Sequence, residues 1–112
     1  MDCLFCKIAA GEIPSDKVYE DERVLAFRDI DPKAPFHVLI IPKAHIASAA
    51  ELNSGNSDIV AHIFCVAAEL AKKFDLKNGF RLVNNCGTDG GQTVGHLHFH
   101  MLAGRLLGWP PG

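Results

Sequence analysis

The sequence contains no long apolar segment and no excess of one charge. No stretch approaches the roughly 20 apolar residues that a membrane-spanning helix needs, so we expect no membrane partner. With 11 Lys and Arg against 13 Asp and Glu, the formal net charge is -2. Such a chain lacks the basic field that binds nucleic-acid polymers. The 112 residues also contain no internal repeat and no linker, which predicts a single domain over residues 1–112.

The first residues lack the charged and apolar pattern of a secretory signal peptide. We therefore expect a cytoplasmic protein, in which thiols stay reduced. Only four cysteines occur, and in that compartment they are better interpreted as metal ligands or free thiols than as disulfides. Cys3 and Cys6 form a C-x2-C pair, which is half of a tetrahedral zinc site. The alternative interpretation is two small buried residues.

Histidine, by contrast, is concentrated in one short segment near the end of the chain. Imidazole and apolar residues alternate strictly from His96 to Met101. The segment His96–Leu102 is therefore predicted to be a β-strand with His96, His98 and His100 on one face and a packed core behind. The outer two histidines of such a strand lie about 13 Å apart, which is too far for one metal with ligands at ~2 Å. The three imidazoles must therefore divide their roles. Because burying them is costly, we interpret the segment as functional.

The hydrophobic pattern of the remaining chain predicts a mixture of strands and two helices. His37–Pro42 is nearly all apolar, which favours a central strand covered on both faces, and His45 follows in a loop or at a helix start. The predicted elements are a short helix from Leu4 that Gly11 ends, strands over Lys17–Glu20, Val24–Ile30, His37–Pro42 and Phe80–Asn84, and a helix over Asp58–Phe74 capped by Ser57.

Two further features suggest ligand binding, and each has an ordinary alternative. The glycine-rich run from Asn85 to Gly95 exposes backbone N–H groups that, with Gln92 and Thr93, are able to hold a phosphate. Most such loops are only turns, but this one leads directly into the histidine strand. Asp29 ends a predicted strand, where its carboxylate is placed either to accept hydrogen bonds from a sugar diol or to be solvated in a turn.

These residues resemble the histidine triad family, in its Hint branch of purine nucleoside phosphoramidases. The resemblance covers essentially the whole chain, and its most specific part is His96–Leu102 preceded by the Gly-Gly-Gln loop. The other matching segments are Phe5–Ile8, Ala26–Ile30, Ile41–Lys43, Asp89–Val94 and Trp109–Gly112. The resemblance implies an α+β fold with a five-stranded antiparallel sheet, one long and one short helix, and a sheet that continues across a homodimer.

The resemblance also implies a catalytic role for three histidines. His98 would be the nucleophile that attacks the α-phosphorus of a purine nucleoside 5′-phosphoramidate and expels an amine. Water would then release nucleoside monophosphate from the nucleotidyl-histidine intermediate. His37 and His100 match positions that donate to phosphate oxygens and manage protons near the leaving group.

The same resemblance implies a set of nucleotide-binding residues. Asp29 matches the acceptor of the ribose hydroxyls, and Trp109 matches a residue that reaches toward the site of the partner subunit. Thr93 stands where some members have Ser, and its hydroxyl is retained. The apolar purine slot is matched by Leu4, Phe5, Ile8, Phe27 and Ile30, and the phosphate or leaving-group contacts by Asn85, Gly91, Gln92, Thr93 and Val94.

A zinc site is implied as well, and no organic cofactor. Some members hold zinc on a C-x2-C pair, a histidine after the Pro-Lys turn and the first histidine of the triad. In this sequence those residues are Cys3, Cys6, His45 and His96. Four protein ligands close the tetrahedron and leave no position for water, so the zinc would be structural.

Three other functions remain open at this point. A dinucleoside polyphosphate hydrolase would use the same nucleophile with a nucleotide leaving group, although the Trp109–Gly112 end argues against it. A non-catalytic nucleotide-binding dimer would not need the intact set of His37, His98 and His100. A zinc hydrolase would need an open metal position. The sequence decides neither between adenosine and guanosine nor on the physiological leaving group.

Overall fold

The computed structural model describes residues 3–112. Met1 and Asp2 lie outside the described residues, and so does the part of the signal-peptide and domain predictions that rests on them. The chain folds as one antiparallel sheet with strand order β1-β2-β3-β5-β4 and two α-helices. This confirms the predicted α+β class. The elements are α1 (Leu4–Ala9), β1 (Lys17–Glu20), β2 (Val24–Arg28), β3 (Phe36–Pro42), a 3-10 turn (Ala49–Glu51), α2 (Asp58–Lys73), β4 (Phe80–Val83) and β5 (Phe99–Ala103).

The central strand β3 is buried on both faces, as its apolar sequence predicts. Val38 and Ile40 face the cluster beneath α2, whereas Leu39 and Ile41 face the cluster beneath α1. Successive side chains of a strand point to opposite faces, so one continuous apolar run supplies both cores. The sheet is therefore a middle layer, with α2 on one side and α1 on the other.

Helix α2 provides most of the larger core. Ile59, Ile63, Val66 and Leu70 recur at spacings of three and four and are all buried, which is the amphipathic stripe that the sequence predicts. The helix begins after Ser57, but the Ser57 side chain makes no capping hydrogen bond. The expected side-chain cap is therefore wrong, because Ser57 already has helical backbone angles (φ -68°, ψ -15°) rather than the extended conformation that capping requires.

Two strands differ from their predicted limits at the residues nearest the histidines. Strand β2 stops at Arg28 because the Asp29 carboxylate accepts the backbone N–H of Asp31 at 2.8 Å and turns the chain. Strand β5 begins at Phe99 rather than at His96. Leu97 N–H instead donates to Ile46 O at 2.6 Å, so this stretch bonds to a loop and not to a neighbouring strand. The alternation nevertheless persists, since Leu97 is fully buried in the core beneath α2.

Strands β1 and β4 form the two edges of the sheet. Each has only one partner strand within the described residues, and β4 carries Phe80 with 41% of its surface exposed. The predicted continuation of the sheet across a homodimer stays a prediction. None of the helices over residues 3–112 is long and apolar enough to cross a membrane.

Candidate functional site

The catalytic candidates lie on the face of the sheet that α1 covers. In β5, Phe99 and Met101 point into the core beneath α2, so His98 and His100 lie on the opposite face. The Phe5 ring of α1 stands edge-on to the His98 imidazole, with 5.0 Å between ring centroids and 89° between planes. His98 retains only 4% exposure. The short N-terminal helix thus forms one wall against the central histidine.

Hydrogen bonding determines which nitrogen of His98 carries the proton. Nδ1 lies 2.7 Å from the carbonyl oxygen of His96. A carbonyl oxygen only accepts, so Nδ1 must be the donor, and the neutral ring keeps its lone pair on Nε2. Asn84 Nδ2 donates to the His98 carbonyl at 3.0 Å and fixes the backbone. In its neutral form His98 therefore presents the Nε2 lone pair from a rigid position, as a nucleophile requires.

His37 and His100 form a second hydrogen-bonded unit beside it. The Lys33 backbone N–H donates to His37 Nδ1 at 3.0 Å, and His37 Nε2 lies 2.9 Å from His100 Nδ1. With Nδ1 accepting, neutral His37 carries its proton on Nε2 and donates it to His100 Nδ1. His100 then carries its proton on Nε2, the end directed away from His37. Asp29 Oδ2 lies 3.5 Å from His37 Nε2.

Burial keeps both rings of this unit neutral near pH 7. Desolvation lowers the pKa of His37, against the opposing effect of the Asp29 carboxylate. Desolvation, with His98 and His37 as like-charged neighbours when protonated, lowers the pKa of His100 to about 4. The His37–His100 pair therefore provides neutral hydrogen-bond donors rather than imidazolium ions at physiological pH.

Acidification from pH 7 to pH 5 is expected to lower the free energy of unfolding through His100. An unfolded histidine takes up a proton in this range, whereas folded His100, with its pKa at about 4, does not. The unfolded state then binds more protons, so stability falls by about 2 kcal/mol for one such group. Urea unfolding at both pH values should show a loss that is smaller by about 1–2 kcal/mol in His100→Asn. Equal losses in the two proteins would contradict this origin.

The structure brings the four predicted zinc ligands together. Their ligand atoms all lie within 4.8 Å of one another. His96 Nδ1 is 3.4 Å from Cys3 Sγ and 3.5 Å from Cys6 Sγ, and His45 Nδ1 is 3.2 Å from Cys6 Sγ. Sulfur and nitrogen ligands of a tetrahedral zinc are separated by about 3.5 Å, given bonds of ~2.3 and ~2.0 Å. This cluster has the donor set and spacing to hold zinc.

The protonation of His96 also suits a metal ligand. Its Nε2 lies 2.8 Å from the Pro42 carbonyl oxygen, so Nε2 carries the proton and Nδ1, which faces the two thiols, is free to bind. Desolvation lowers the pKa of His96, which favours the neutral ligand form. Cys65 and Cys86 are exposed free thiols away from this cluster.

Asp29, His37 and His100 also have ligand atoms within 4.8 Å of one another, but their hydrogen bonding opposes a metal. A metal on His37 Nε2 would force the proton onto Nδ1, which the Lys33 N–H approaches at 3.0 Å. Two donors would then face each other. The three residues are better described as a hydrogen-bonding unit next to His98.

The glycine-rich loop is built around Gln92. Its Oε1 accepts Gly87 N–H at 3.0 Å, while its Nε2 donates to Ala47 O at 2.8 Å and Val94 O at 2.9 Å. The Gln92 side chain thus ties the loop to the segment after β3. Glycine is required at position 90, since an added Cβ would lie 2.4 Å from Cys86 O.

The predicted nucleotide-binding residues differ in their exposure. Phe5, Ile8 and Phe27 are buried together, and Val94 packs on their cluster. By contrast, Leu4 is 48% exposed, Ile30 is fully exposed, and Trp109 is 82% exposed. The half-buried residues are Asp29, Asn85, Gln92 and Val94, and the exposed ones include Gly91 and Thr93.

Three contributions to the site were missed by the sequence analysis. Lys33 acts through its backbone N–H on His37, Pro42 through its carbonyl on His96, and Asn84 through its amide on the His98 carbonyl. The first two are main-chain contacts, for which the side chain gives no signal. Asn84, which directly follows β4, was interpreted only as the last residue of a strand.

Comparison with known proteins agrees with this geometry. A "14 kDa zinc-binding protein" of Zea mays is 48% identical over 111 residues, covering 97% of this chain and 87% of the relative. The crystal structure of a HIT family hydrolase from Legionella pneumophila superimposes with a TM-score of 0.97 at 53% identity, covering 99% of this chain and 100% of that one. A histidine triad nucleotide-binding protein from Candida albicans gives a TM-score of 0.82 at 37% identity, covering 97% and 83%.

The family model described as the HIT domain matches residues 10–107. That range contains His37, His98 and His100 with the hydrogen bonds described above, together with the glycine-rich loop. The chain therefore belongs to the HIT domain family.

Proposed function

We propose that the protein hydrolyses purine nucleoside 5′-phosphoramidates to nucleoside monophosphate and amine, with His98 as the nucleophile. The observation that carries this proposal is the 2.7 Å contact between His98 Nδ1 and the His96 carbonyl, which places the lone pair of the neutral imidazole on Nε2. The Legionella pneumophila relative is described as a hydrolase and the Candida albicans relative as nucleotide-binding. Both descriptions fit a nucleotide hydrolase.

In the first step, His98 Nε2 attacks the α-phosphorus and the P–N bond breaks. The attacking ring becomes cationic, and its Nδ1–H bond to the His96 carbonyl stabilises that charge. His100 Nε2–H donates to a phosphoryl oxygen as negative charge grows there. The leaving amine takes a proton from water.

In the second step, the hydroxide so formed attacks the nucleotidyl-histidine intermediate. The N–P bond breaks, His98 recovers its lone pair, and nucleoside monophosphate leaves. One water is consumed overall, as hydrolysis requires. Splitting one displacement into two steps is the advantage of covalent catalysis.

We propose that the nucleoside lies along the wall formed by α1. Phe5 and Phe27 stand edge-to-face at 5.7 Å and, with Ile8, offer an apolar surface next to His98 that suits a purine ring. Asp29 Oδ2 accepts from the ribose hydroxyls. Leu4, which is 48% exposed, and the fully exposed Ile30 close the slot when the base is bound. Trp109 contributes to the leaving-group side of the partner subunit's site. The phosphate is bordered by Asn85, Gly91, Gln92, Thr93 and Val94.

Relative rates on two substrate classes test this function. We expect faster turnover of an adenosine 5′-phosphoramidate than of a diadenosine polyphosphate, measured as kcat/KM for each at pH 7. The dinucleoside polyphosphate hydrolase is the alternative, and a reversed preference would favour it. Binding of AMP without turnover of either compound would indicate a non-catalytic nucleotide-binding protein.

The zinc cluster is assigned a structural role. Cys3 and Cys6 flank Phe5, while His45 follows β3 and His96 precedes β5, so a zinc bound there would join three distant segments. When bound, zinc supplies cross-linking and no reactive water, since Cys2His2 fills its four positions. This arrangement argues against a zinc hydrolase.

We also expect a homodimer in solution. Strand β4 is an edge strand with exposed Phe80, beside a groove of about 760 Å³ between residues 75–81 and 102–107. The unpaired N–H and C=O groups of such an edge are a template for pairing with another chain. Sedimentation at micromolar concentration should give about twice the 12.2 kDa chain mass, and Phe80→Glu should shift the protein toward the monomer. A monomeric wild type would contradict this assignment.

A further inference from the structure

The segment that follows β5 contacts the loop that orients His37. We propose that Arg105 is a positioning residue, which sets the tautomer of the His37–His100 pair through the backbone of Lys33. The inference rests on the proposed function in one respect, because it takes His100 Nε2–H as the donor to the phosphoryl group. Arg105 itself is exposed and touches neither ring.

The guanidinium of Arg105 binds one carbonyl group with two donors. Nε and Nη2 donate to Lys33 O at 3.3 and 2.9 Å, and Nη1 donates to Leu106 O at 3.1 Å. The bond to Leu106 ties the guanidinium to its own segment, so it meets Lys33 already oriented. Such a planar fork of donors restrains an acceptor more strongly than a single flexible ammonium does.

The chain passes unusually close to this loop just before Arg105. Gly104 has φ +95°, and a Cβ added there would lie 2.8 Å from Pro35 Cβ. Only glycine adopts this conformation and approach without strain. The backbone is therefore shaped to bring Arg105 within reach of the Lys33 carbonyl, 72 residues earlier in the sequence.

Lys33 is thus held at both ends. Arg105 binds its carbonyl, and its N–H donates to His37 Nδ1 at 3.0 Å. Without that donor, His37 is able to carry its proton on Nδ1, and its Nε2 becomes an acceptor facing His100 Nδ1. His100 would then have to protonate Nδ1 to keep the 2.9 Å bond. Its Nε2 would lose the proton that faces the site.

The charged groups around His37 do not replace this donor. Asp29, the residue after β2, faces Nε2 at 3.5 Å, and Asp31 pairs with Lys33 Nζ at 2.6 Å. Both are carboxylates, which accept hydrogen bonds and do not donate them at neutral pH. On the β5 side, His98 lies beyond His100, with 5.2 Å between the ring centroids of that pair. The tautomer therefore depends on the position of Lys33.

Imidazole nitrogen spectra of ¹⁵N-labelled protein measure the tautomer directly, with His37 assigned from a His37→Asn sample. At pH 7 we expect the Nε2–H form of His37 in the wild type and a mixture of both tautomers in Arg105→Ala. For an adenosine 5′-phosphoramidate, kcat should fall roughly threefold to tenfold with KM unchanged, as for one weakened hydrogen bond. Arg105→Lys keeps one donor and should recover part of the rate.

Arg23→Ala is the matched control, because it removes another exposed arginine, paired with Asp58 at 2.7 Å, far from His37 in the fold. It should keep the wild-type tautomer and kcat. A wild-type tautomer in Arg105→Ala overturns the inference whatever the rate, and so does a changed tautomer with unchanged kcat. A wild type without turnover contradicts the proposed function alone, since the spectra still decide whether Arg105 sets the tautomer.

Discussion

Replacing His98 by alanine is expected to abolish turnover of an adenosine 5′-phosphoramidate. The variant loses the only nitrogen that the proposed chemistry directs at phosphorus, and losses of at least about 10³-fold are typical when a nucleophile is removed. AMP should still bind, because Phe5, Phe27 and Asp29 are unchanged. Initial rates and a binding isotherm, both measured well below the melting temperature, test the two halves of this prediction.

A matched control separates the loss of the nucleophile from the loss of a histidine. His62 is another hydrogen-bonded histidine, since its Nε2 lies 2.7 Å from the Asp21 carboxylate, but it lies on α2, across the sheet from the site. His62→Ala should therefore keep wild-type kcat. A rapid-quench experiment on the wild type should trap phosphorus on His98. Residual turnover in His98→Ala within tenfold of the wild type would contradict covalent catalysis by this residue.

Removing the two N-terminal thiols is expected to remove zinc and leave the chemistry intact, which is the opposite of the effect expected for His98→Ala. The double variant Cys3→Ser, Cys6→Ser should lose zinc and melt at least about 10 °C lower, because metal binding to folded ligands acts as folding free energy. It should retain turnover at temperatures where it remains folded, since the chemistry passes through His98 and not through the metal. Metal analysis, thermal melting and kinetics on one preparation measure all three.

The other two cysteines provide the control. Cys65 and Cys86 are exposed, so Cys65→Ser, Cys86→Ser should keep zinc, melting temperature and activity. If the zinc-free variant is folded but inactive, and zinc restores turnover of a metal-depleted wild type without any gain in structure, the metal is catalytic and the roles assigned to the histidines are wrong. A wild type purified under reducing conditions without zinc would contradict the site itself.

Much of the fold follows from local pattern. The stripe on α2 and the apolar run of β3 predict their elements to within one residue at each end, because periodicity reports directly which side chains face a core. The limits near the site were less predictable. β2 ends where the Asp29 carboxylate accepts a hydrogen bond from the Asp31 N–H. β5 starts later than predicted because the Leu97 N–H bonds to Ile46 O.

The candidate site, like the fold, was predictable from the sequence only in part. The C-x2-C pair and the alternating histidines are visible as sequence, and the resemblance supplied His45 and His96 as partners of the thiols. The distances of 3.2–3.5 Å among these ligand atoms come only from folding. Three segments far apart in the chain meet there because α1 and the loop after β3 both pack at one end of the sheet.

By itself, the sequence determined the amphipathic elements, the two faces of the histidine segment and the set of chemically competent side chains. Only the tertiary structure decided the protonation of each ring, because the deciding partners are main-chain groups: the carbonyls of Pro42 and His96 and the N–H of Lys33. Every residue type offers the same backbone carbonyl, and every one except proline the same N–H, so the residue type does not predict these contacts. They exist only where folding brings a particular peptide group against a particular imidazole.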